Sequence, residues 1–349
     1  MFRVPLFRVL VLGSVLGAVT LAAQPPANDA IFRYQGADRQ ARLVERARRE
    51  GSVALYTSLA PTESQPLAAA FEKKYGVKVV LWRALSDQVV QRTIAEARAR
   101  RNTVDVIETN GPEMEMLARE KVLAAVHSPY LADLPAASIP AHRTWFPDRF
   151  NFYVVGYNTK RVQRSQIPPT YEGFTDPKWK GQISIEATDA EWMATIVKTW
   201  GEAKGMAYFR KLAALRPDVR KGHILLANLV VAGEVPVALT TYHSNIVPLK
   251  RKGAPIDFVP VQPVVARPQG IGVARSAPHP HAALLFVDYV LSKEGMMLLR
   301  SFKRIPSRLD VEPMIPRLTK GIKFHPSEPE LAEEFDKYAR IFQNLFEVR

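Results

Sequence analysis

Residues 52–82, SVALYTSLAPTESQPLAAAFEKKYGVKVVLW, contain the order of elements that decides the fold. SVALYT is typical of a strand, TESQPLAAAFEKKYG of an amphipathic helix that ends at Gly76, and VKVVLW of a second strand. A helix over SDQVVQRTIAEARARR, with Ser86 as its N-cap, and a third strand, TVDVIET, continue the alternation. Strands that alternate with helices predict a parallel sheet with right-handed crossovers.

A second series of elements follows after residue 150. The predicted strands are NFYVVGYN, QISIEA, PVALTTY, PIDFVPV and GIGVARSA, and the predicted helices are AEWMATIVKTWG, GMAYFRKLAALR, ILLANLVVAGE and HAALLFVDYVLSKEG. Two α/β lobes joined near 145–155 and near 260–270 fit this order. We predict that lobe 1 comprises 24–145 and 266–349, and that lobe 2 comprises 146–265.

The amino terminus and the composition limit the class of protein. Residues 1–23 have a basic start, an apolar run and small residues at Ala22 and Ala23, which predicts a secretory signal peptide cleaved there. The chain of 349 residues has no cysteine, so disulfides and thiolate metal ligands are excluded. Its net charge of +14 invites a nucleic-acid partner, but the basic residues are scattered among glutamates on helices and no nucleic-acid motif is present. We therefore expect an exported protein that does not bind nucleic acid.

Polar residues collect where the predicted strands end. Because open parallel sheets bind ligands beyond the carboxyl ends of their strands, these residues predict a ligand cleft between the lobes. The candidates are Thr57, Ser58, Arg83, Ser86, Glu108, Asn110, Glu186, Asp189, Trp192, Tyr242 and His243.

Five stretches resemble one family over nearly the whole mature chain and in the same order. They are RLVERARREGSVALYTS (42–58), TDPKWKGQISI (175–185), VAGEVPVAL (231–239), SAPHPHAALLFVDYVLSKEGM (276–296) and FHPSEPELAEEF (324–335). The chain resembles the iron(III)-type periplasmic solute-binding proteins of bacterial ABC importers. The resemblance implies a type 2 periplasmic-binding-protein fold, with a hinge and an inter-lobe ligand cleft, that presents a solute to an inner-membrane permease.

Tyr242 and His243, within VALTTYHSNIVP (237–248), leave the type of ligand open. Family members that bind bare ferric ion carry two adjacent tyrosines here and a histidine after the first strand, where this chain has Thr57 and Ser58. Phenolate, imidazole and carboxylate all suit iron, so Tyr242 and His243 could be metal ligands. An organic solute or an iron chelate that contacts Tyr242 is the other hypothesis, which we favour, and neither hypothesis needs a resident cofactor.

The turn after QISIE departs from the family pattern. Relatives often have a Ser/Gly-rich anion-binding turn there, whereas this chain has Glu186, Asp189 and Glu191, followed by Trp192. Either Asp189 caps the helix, or Glu186 or Asp189 faces a cationic or hydroxyl-rich solute on which Trp192 stacks. Arg83 could instead bind a carboxylate or a phosphate on the other lobe.

The competing functional classes differ in their motifs. An exported enzyme on a similar frame would need a nucleophile, metal or phosphate motif, and the sequence has no GxSxG, HExxH or Gly-rich phosphate loop. We therefore predict a periplasmic, monomeric solute receptor that is not an enzyme. Its partners would be a small-molecule or iron-chelate solute and the permease.

Overall fold

The computed structural model describes residues 28–318, 320–328, 331 and 334–348. The predicted signal peptide lies outside the described residues. The strands are β1 (Ser52–Thr57), β2 (Lys78–Arg83), β3 (Val106–Asn110), β4 (Trp145–Asn158), β5 (Ile183–Glu186), β6 (Asp218–Arg220), β7 (Val237–Tyr242), β8 (Ile256–Val259), β9 (Val264–Val273), β10 (Ile305–Pro306) and β11 (Phe324–Pro326).

Helices separate most of these strands. They are α1 (Asp29–Phe32), α2 (Arg39–Glu50), α3 (Pro61–Tyr75), α4 (Ser86–Arg98), α5 (Gly111–Arg119), α6 (Ala190–Trp200), α7 (Glu202–Ala214), α8 (His223–Ala232), α9 (His243–Arg251), α10 (Pro280–Leu291), α11 (Lys293–Ser301) and α12 (Phe335–Phe346). No helix in the described part of the chain is both long and apolar enough to cross a membrane.

One curled sheet runs through both lobes in the order β2-β1-β3-β9-β4-β7-β5-β6. β1 is parallel to β2 and β3, and β5 is parallel to β6 and β7, which confirms the predicted parallel pairing for these strands. β4 and β9 run antiparallel to each other and to their other main neighbours. The sheet is therefore mixed, with parallel strands on both sides of an antiparallel pair.

The lobes meet where β4 changes partners. From Trp145 to Phe152 this strand pairs with β9, and from Tyr153 onward it pairs with β7 and β8. Gly270 lies in the shared part of β9, where an added Cβ would be 2.6 Å from the Trp145 ring. Glycine is required there because the indole packs directly on the backbone.

Buried apolar residues form separate cores on the two sides of this junction. In lobe 1, Phe71 of α3 packs against Phe286 and Tyr289 of α10. In lobe 2, one face of the sheet carries a core around Tyr153 and Trp192, and the opposite face carries another around Phe152 and Ile246. Residues on successive positions of β4 thus serve opposite faces.

The structure differs from the prediction in several places. α12 packs on α6 and α7 through Tyr338, Phe342 and Phe346, which form one apolar helix face because they are spaced four residues apart. This part of the range 266–349 therefore lies against lobe 2, although it was predicted to belong to lobe 1. The predicted long terminal helix is two helices, since the Ser292 hydroxyl accepts the Gly295 N–H and starts α11. The last long strand was predicted from residue 270, but β9 begins at Val264.

Candidate functional site

Two predicted ligand residues of lobe 1 belong to a buried network instead. The Thr57 hydroxyl donates to Glu108, and Glu108 Oε1 lies 2.7 Å from Nη1 of the buried Arg149. The same guanidinium is 2.8 Å from Asp148, whose pKa is raised by burial against the opposing effect of Arg149. Because protein groups already contact Thr57 and Glu108, these side chains hold lobe 1 together rather than facing a cleft.

The other lobe 1 candidates lie along the edge where the strands end. Ser58 is bound through its backbone N–H to the Glu108 carbonyl, and the exposed Arg83 extends over the Ser58 carbonyl at 3.5 Å. The Asn110 amide donates to the Ser86 hydroxyl at 2.7 Å and to Glu113 Oε1 at 3.0 Å. The structure therefore brings Ser86 and Asn110 together. Ser86 is the first residue of α4 rather than its N-cap, a position that Leu85 occupies.

Asp189 connects several polar groups of lobe 2. It occupies the N-cap position of α6, but its side chain makes no capping bond. Instead, the Tyr153 hydroxyl donates to Asp189 Oδ1 at 3.2 Å, and His223 Nε2 lies 3.3 Å from the same oxygen. Asp189 thus occupies the predicted N-cap position, but the predicted capping hydrogen bond is absent because the carboxylate points toward Tyr153 and His223.

His223 is held in one orientation by the strand beside it. Its Nδ1 lies 3.0 Å from the Thr240 carbonyl, which fixes Nδ1–H as the donor and leaves Nε2 facing Asp189. Burial disfavours the charged imidazolium, but the neighbouring Asp189 outweighs burial and raises the pKa of His223. The Tyr242 ring packs on the imidazole with the centroids 4.0 Å apart.

Arg267 of β9 joins the two lobes at this place. Its Nη1 donates to the Tyr242 hydroxyl at 3.1 Å, and its Nε lies 2.7 Å from Glu191 Oε2 of α6. On the lobe 1 side, its Nη2 lies 3.8 Å from Glu113 Oε2 of α5. Burial raises the pKa of Glu191, which Arg267 opposes. We call the residues Glu113, Tyr153, Glu186, Asp189, Glu191, His223, Tyr242 and Arg267 the Arg267 cluster.

Tyr242 and His243 point to opposite faces of the sheet. Tyr242 contacts Tyr153 and Arg267, whereas the fully buried His243 ring packs edge-on against Phe152. Burial lowers the pKa of His243 to about 3, and the positive charge of Arg304 adds to this effect. The predicted pair of metal ligands is thus divided, because neighbouring residues at the end of a strand alternate in direction and α9 begins at once.

Trp192 also lies elsewhere than predicted. Its fully buried indole packs edge-on against Tyr171 and Phe209 in the core of lobe 2. On α6 it follows Glu191 directly, so the two side chains point in different directions and only Glu191 reaches the cluster. The hypothesis that Trp192 stacks on a solute is wrong for this placement.

Negative charge exceeds positive charge in the Arg267 cluster. Its four carboxylates face one arginine and one histidine, and Asp189 Oδ2 and Glu113 Oε2 are buried without a hydrogen-bond partner among the described residues. Glu186 differs in that both of its carboxylate oxygens have protein donors, the backbone N–H of Thr188 at 2.6 Å and that of Gly222 at 2.8 Å. Buried carboxylates without a partner are costly, so the arrangement favours a bound group with positive charge.

A metal ion is one such group. Glu186, Asp189 and His223 each offer a ligand atom, and these atoms lie within 4.8 Å of one another. The bond from His223 Nδ1 to a backbone carbonyl is the second-shell contact that orients a metal-binding imidazole. A carboxylate–imidazole donor set suits a borderline or hard cation.

Sequence reasoning missed His223, Tyr153, Glu113 and Arg267. The glycine before His223 was the available sequence signal, because glycine often marks a backbone turn. In the structure Gly222 has a φ of +111° and directly precedes α8. Tyr153 and Arg267 lie inside strands, where no sequence signal separates them from structural residues.

Comparison with known proteins places the chain in a family. The model of the bacterial extracellular solute-binding protein family matches residues 56–297. The chain is 29% identical to an uncharacterized protein of Haemophilus influenzae over 152 residues, which are 41% of this chain and 44% of that protein. It is 24% identical to the Fe(3+)-binding periplasmic protein of Serratia marcescens over 242 residues, 66% of this chain and 71% of that protein. The first of these matches thus spans less than half of the relative's length.

Solved structures agree with the fold. The Trichodesmium protein FutA (IdiA), in complex with iron and citrate, superposes with a TM-score of 0.74 at 20% identity, covering 86% of this chain and 100% of that chain. AfuA from Actinobacillus pleuropneumoniae, with fructose-6-phosphate bound, gives a TM-score of 0.70 at 22% identity, covering 86% and 100%. The family model covers well over half of the chain, and the protein is therefore a member of the bacterial extracellular solute-binding protein family.

Proposed function

We propose that this protein is the substrate-binding component of an ABC importer, which captures a small solute between its lobes and delivers it to an inner-membrane permease. The observation that carries the proposal is Arg267, which contacts Glu113 of lobe 1 and both Glu191 and Tyr242 of lobe 2. This contact lies where strands of both lobes end, the place at which open α/β sheets bind ligands. A solute bound here touches both lobes at once.

The charges of the Arg267 cluster indicate the chemistry of the solute. The excess of carboxylates supports a solute with a cationic centre, either an organic cation or a chelated metal, with Asp189 and Glu191 as its acceptors. A solute that presents only phosphate is disfavoured, because Glu186, Asp189 and Glu191 at the start of α6 repel it.

Direct binding of a metal is the second candidate function. The convergence of Asp189 and His223 favours it, and the Serratia relative is named for ferric ion. Tyr242 would join these ligands as a phenolate, but burial raises its pKa and Arg267 already donates to its oxygen. A bare ferric ion would therefore have to displace a proton and rearrange Arg267, which a chelated or organic cation does not require.

Export and the absence of catalysis belong to the same proposal. Cleavage near Ala22 or Ala23 would release the protein into the periplasm, where it would act as a monomeric receptor rather than as an enzyme. Amino-terminal sequencing of periplasmic material tests this part, and an intact Met1 would contradict it. A receptor also returns its solute chemically unchanged.

Native mass spectrometry combined with metal analysis of protein purified without chelators tests the ligand directly. We expect one bound solute or metal per chain. Tyr242→Phe should weaken its binding by about 1–3 kcal/mol, because a buried hydroxyl that contacts Arg267 is lost. Tyr208→Phe is the matched control, since the buried Tyr208 hydroxyl has no hydrogen-bond partner in the described chain. Equal affinity in both variants would remove Tyr242 from the site.

A further inference from the structure

A cavity lies between the lobes and shares no lining residue with the Arg267 cluster. It has a volume of about 510 Å³, within the range of small-molecule sites. Thr62 and Glu63 at the start of α3 line one side, residues of α9 and its C-cap Lys252 line another, and residues 302–304 complete it. Because α3 packs in lobe 1 and α9 packs on the sheet of lobe 2, a molecule in this cavity contacts both lobes.

The cavity carries excess positive charge. Of its four basic residues, only Arg304 is neutralised, by a two-point contact with Glu63 at 2.7 and 2.9 Å. In the ranges that the structure describes, no carboxylate lies within 4.0 Å of Arg251, Lys252 or Lys303. Three basic residues thus line the cavity without a carboxylate partner among the described residues.

The ends of helices explain only part of this charge. Arg251 and Lys252 lie at the C-terminal end of α9, where basic residues complement the helix dipole whether or not a ligand binds. Lys303 comes from a different segment, after α11, and also lines the cavity, with its ammonium 3.1 Å from Met314 Sδ. Like charges brought together from two segments repel each other unless an anion is present.

The remaining lining determines the class of anion. Val247, Pro248 and Phe302 supply apolar surface, and Ser244 supplies a hydroxyl. We infer that this cavity is a second binding site, for a small organic anion with a phosphate or carboxylate group and an apolar body. The charged group would contact Arg251, Lys252 and Lys303, and the apolar body would pack on Phe302. This site is separate from the proposed solute site.

Phenyl phosphate is the probe, because it combines both parts in a compact molecule. Isothermal titration of the full mature protein at low ionic strength should show one equivalent bound. Arg251→Gln/Lys252→Gln should lower this affinity at least tenfold, or about 1.4 kcal/mol, since two charge-assisted contacts are lost. Arg210→Gln/Lys211→Gln removes two adjacent exposed charges from α7 and should change it by less than about twofold.

Three outcomes would overturn the inference. The first is no binding of phenyl phosphate at millimolar concentration. The second is an equal loss in both double variants, which would show that general surface charge attracts the probe. The third is full affinity in Arg251→Gln/Lys252→Gln with an unchanged circular dichroism spectrum, which would place the probe elsewhere. Inorganic phosphate that binds as tightly as phenyl phosphate would refute the apolar part of the site. None of these results depends on what occupies the Arg267 cluster.

Discussion

Replacing Arg267 with methionine should destabilise the folded protein strongly. Glu191 is 4% exposed and lies 2.7 Å from Arg267 Nε, and the Tyr242 hydroxyl and Glu113 also face this guanidinium. Methionine replaces the aliphatic part of the arginine side chain but leaves the Glu191 carboxylate buried without a counter-charge. Breaking a buried ion pair from one side costs about 3–5 kcal/mol, because the remaining charge is not solvated.

Urea denaturation measures this cost. With a slope of about 1–3 kcal/mol per molar urea, the transition midpoint should fall by at least about 1 M. Arg267→Met/Glu191→Gln should recover part of the loss, since the amide removes the unpaired charge. Arg210→Met, at an exposed position on α7, is the matched control and should cost less than about 0.5 kcal/mol.

A loss below about 1 kcal/mol in Arg267→Met would refute the reasoning. Such a result would mean that Glu191 is either protonated or solvated in the native protein. No recovery in the double variant would also contradict it, because the two residues would then not be coupled.

Three further changes should have separate effects on stability. Burial lowers the pKa of His243 to about 3, whereas in the unfolded chain the imidazole protonates near its ordinary pKa of about 6.5. The free energy of unfolding should therefore fall as the pH drops below about 6.5. His243→Phe should reduce this loss when unfolding is measured at pH 7 and at pH 5. Trp192→Ala should cost about 3–5 kcal/mol in urea denaturation, because it empties the space between Tyr171 and Phe209; a small loss would mean that the indole is not in the core. Ser292→Ala should cost about 1 kcal/mol through loss of the α11 cap, and Ser292→Asp should restore it.

The order of elements was predictable from the sequence because each one carries its own pattern. β1 occupies Ser52–Thr57 as predicted, and α2 and α3 each end at a glycine with positive φ. These signals depend on residues close in sequence. The position of α12 depends instead on which surface its aromatic face meets, which no local pattern specifies.

The site was only partly predictable for the same reason. Strand ends indicated Asp189 and Tyr242, which the structure places in the Arg267 cluster. They equally indicated Thr57 and Glu108, which lie in a buried network with Arg149. Arg267 was missed because it lies inside β9, where no sequence signal separates it from a structural residue. Whether a polar residue at a strand end faces a ligand depends on the partners that the fold supplies.

The charges of the Arg267 cluster predict how a solute would affect the arrangement of the lobes. Glu113 reaches the cluster from α5 in lobe 1, whereas Asp189 and Glu191 reach it from the start of α6 in lobe 2. Bringing these carboxylates together without a cation costs free energy, and Arg267 offsets only part of it. A cationic solute between the lobes would supply the missing charge and so favour the closed arrangement, whereas a neutral solute of the same size would not. We therefore expect the receptor to select its solute first by charge and only then by shape.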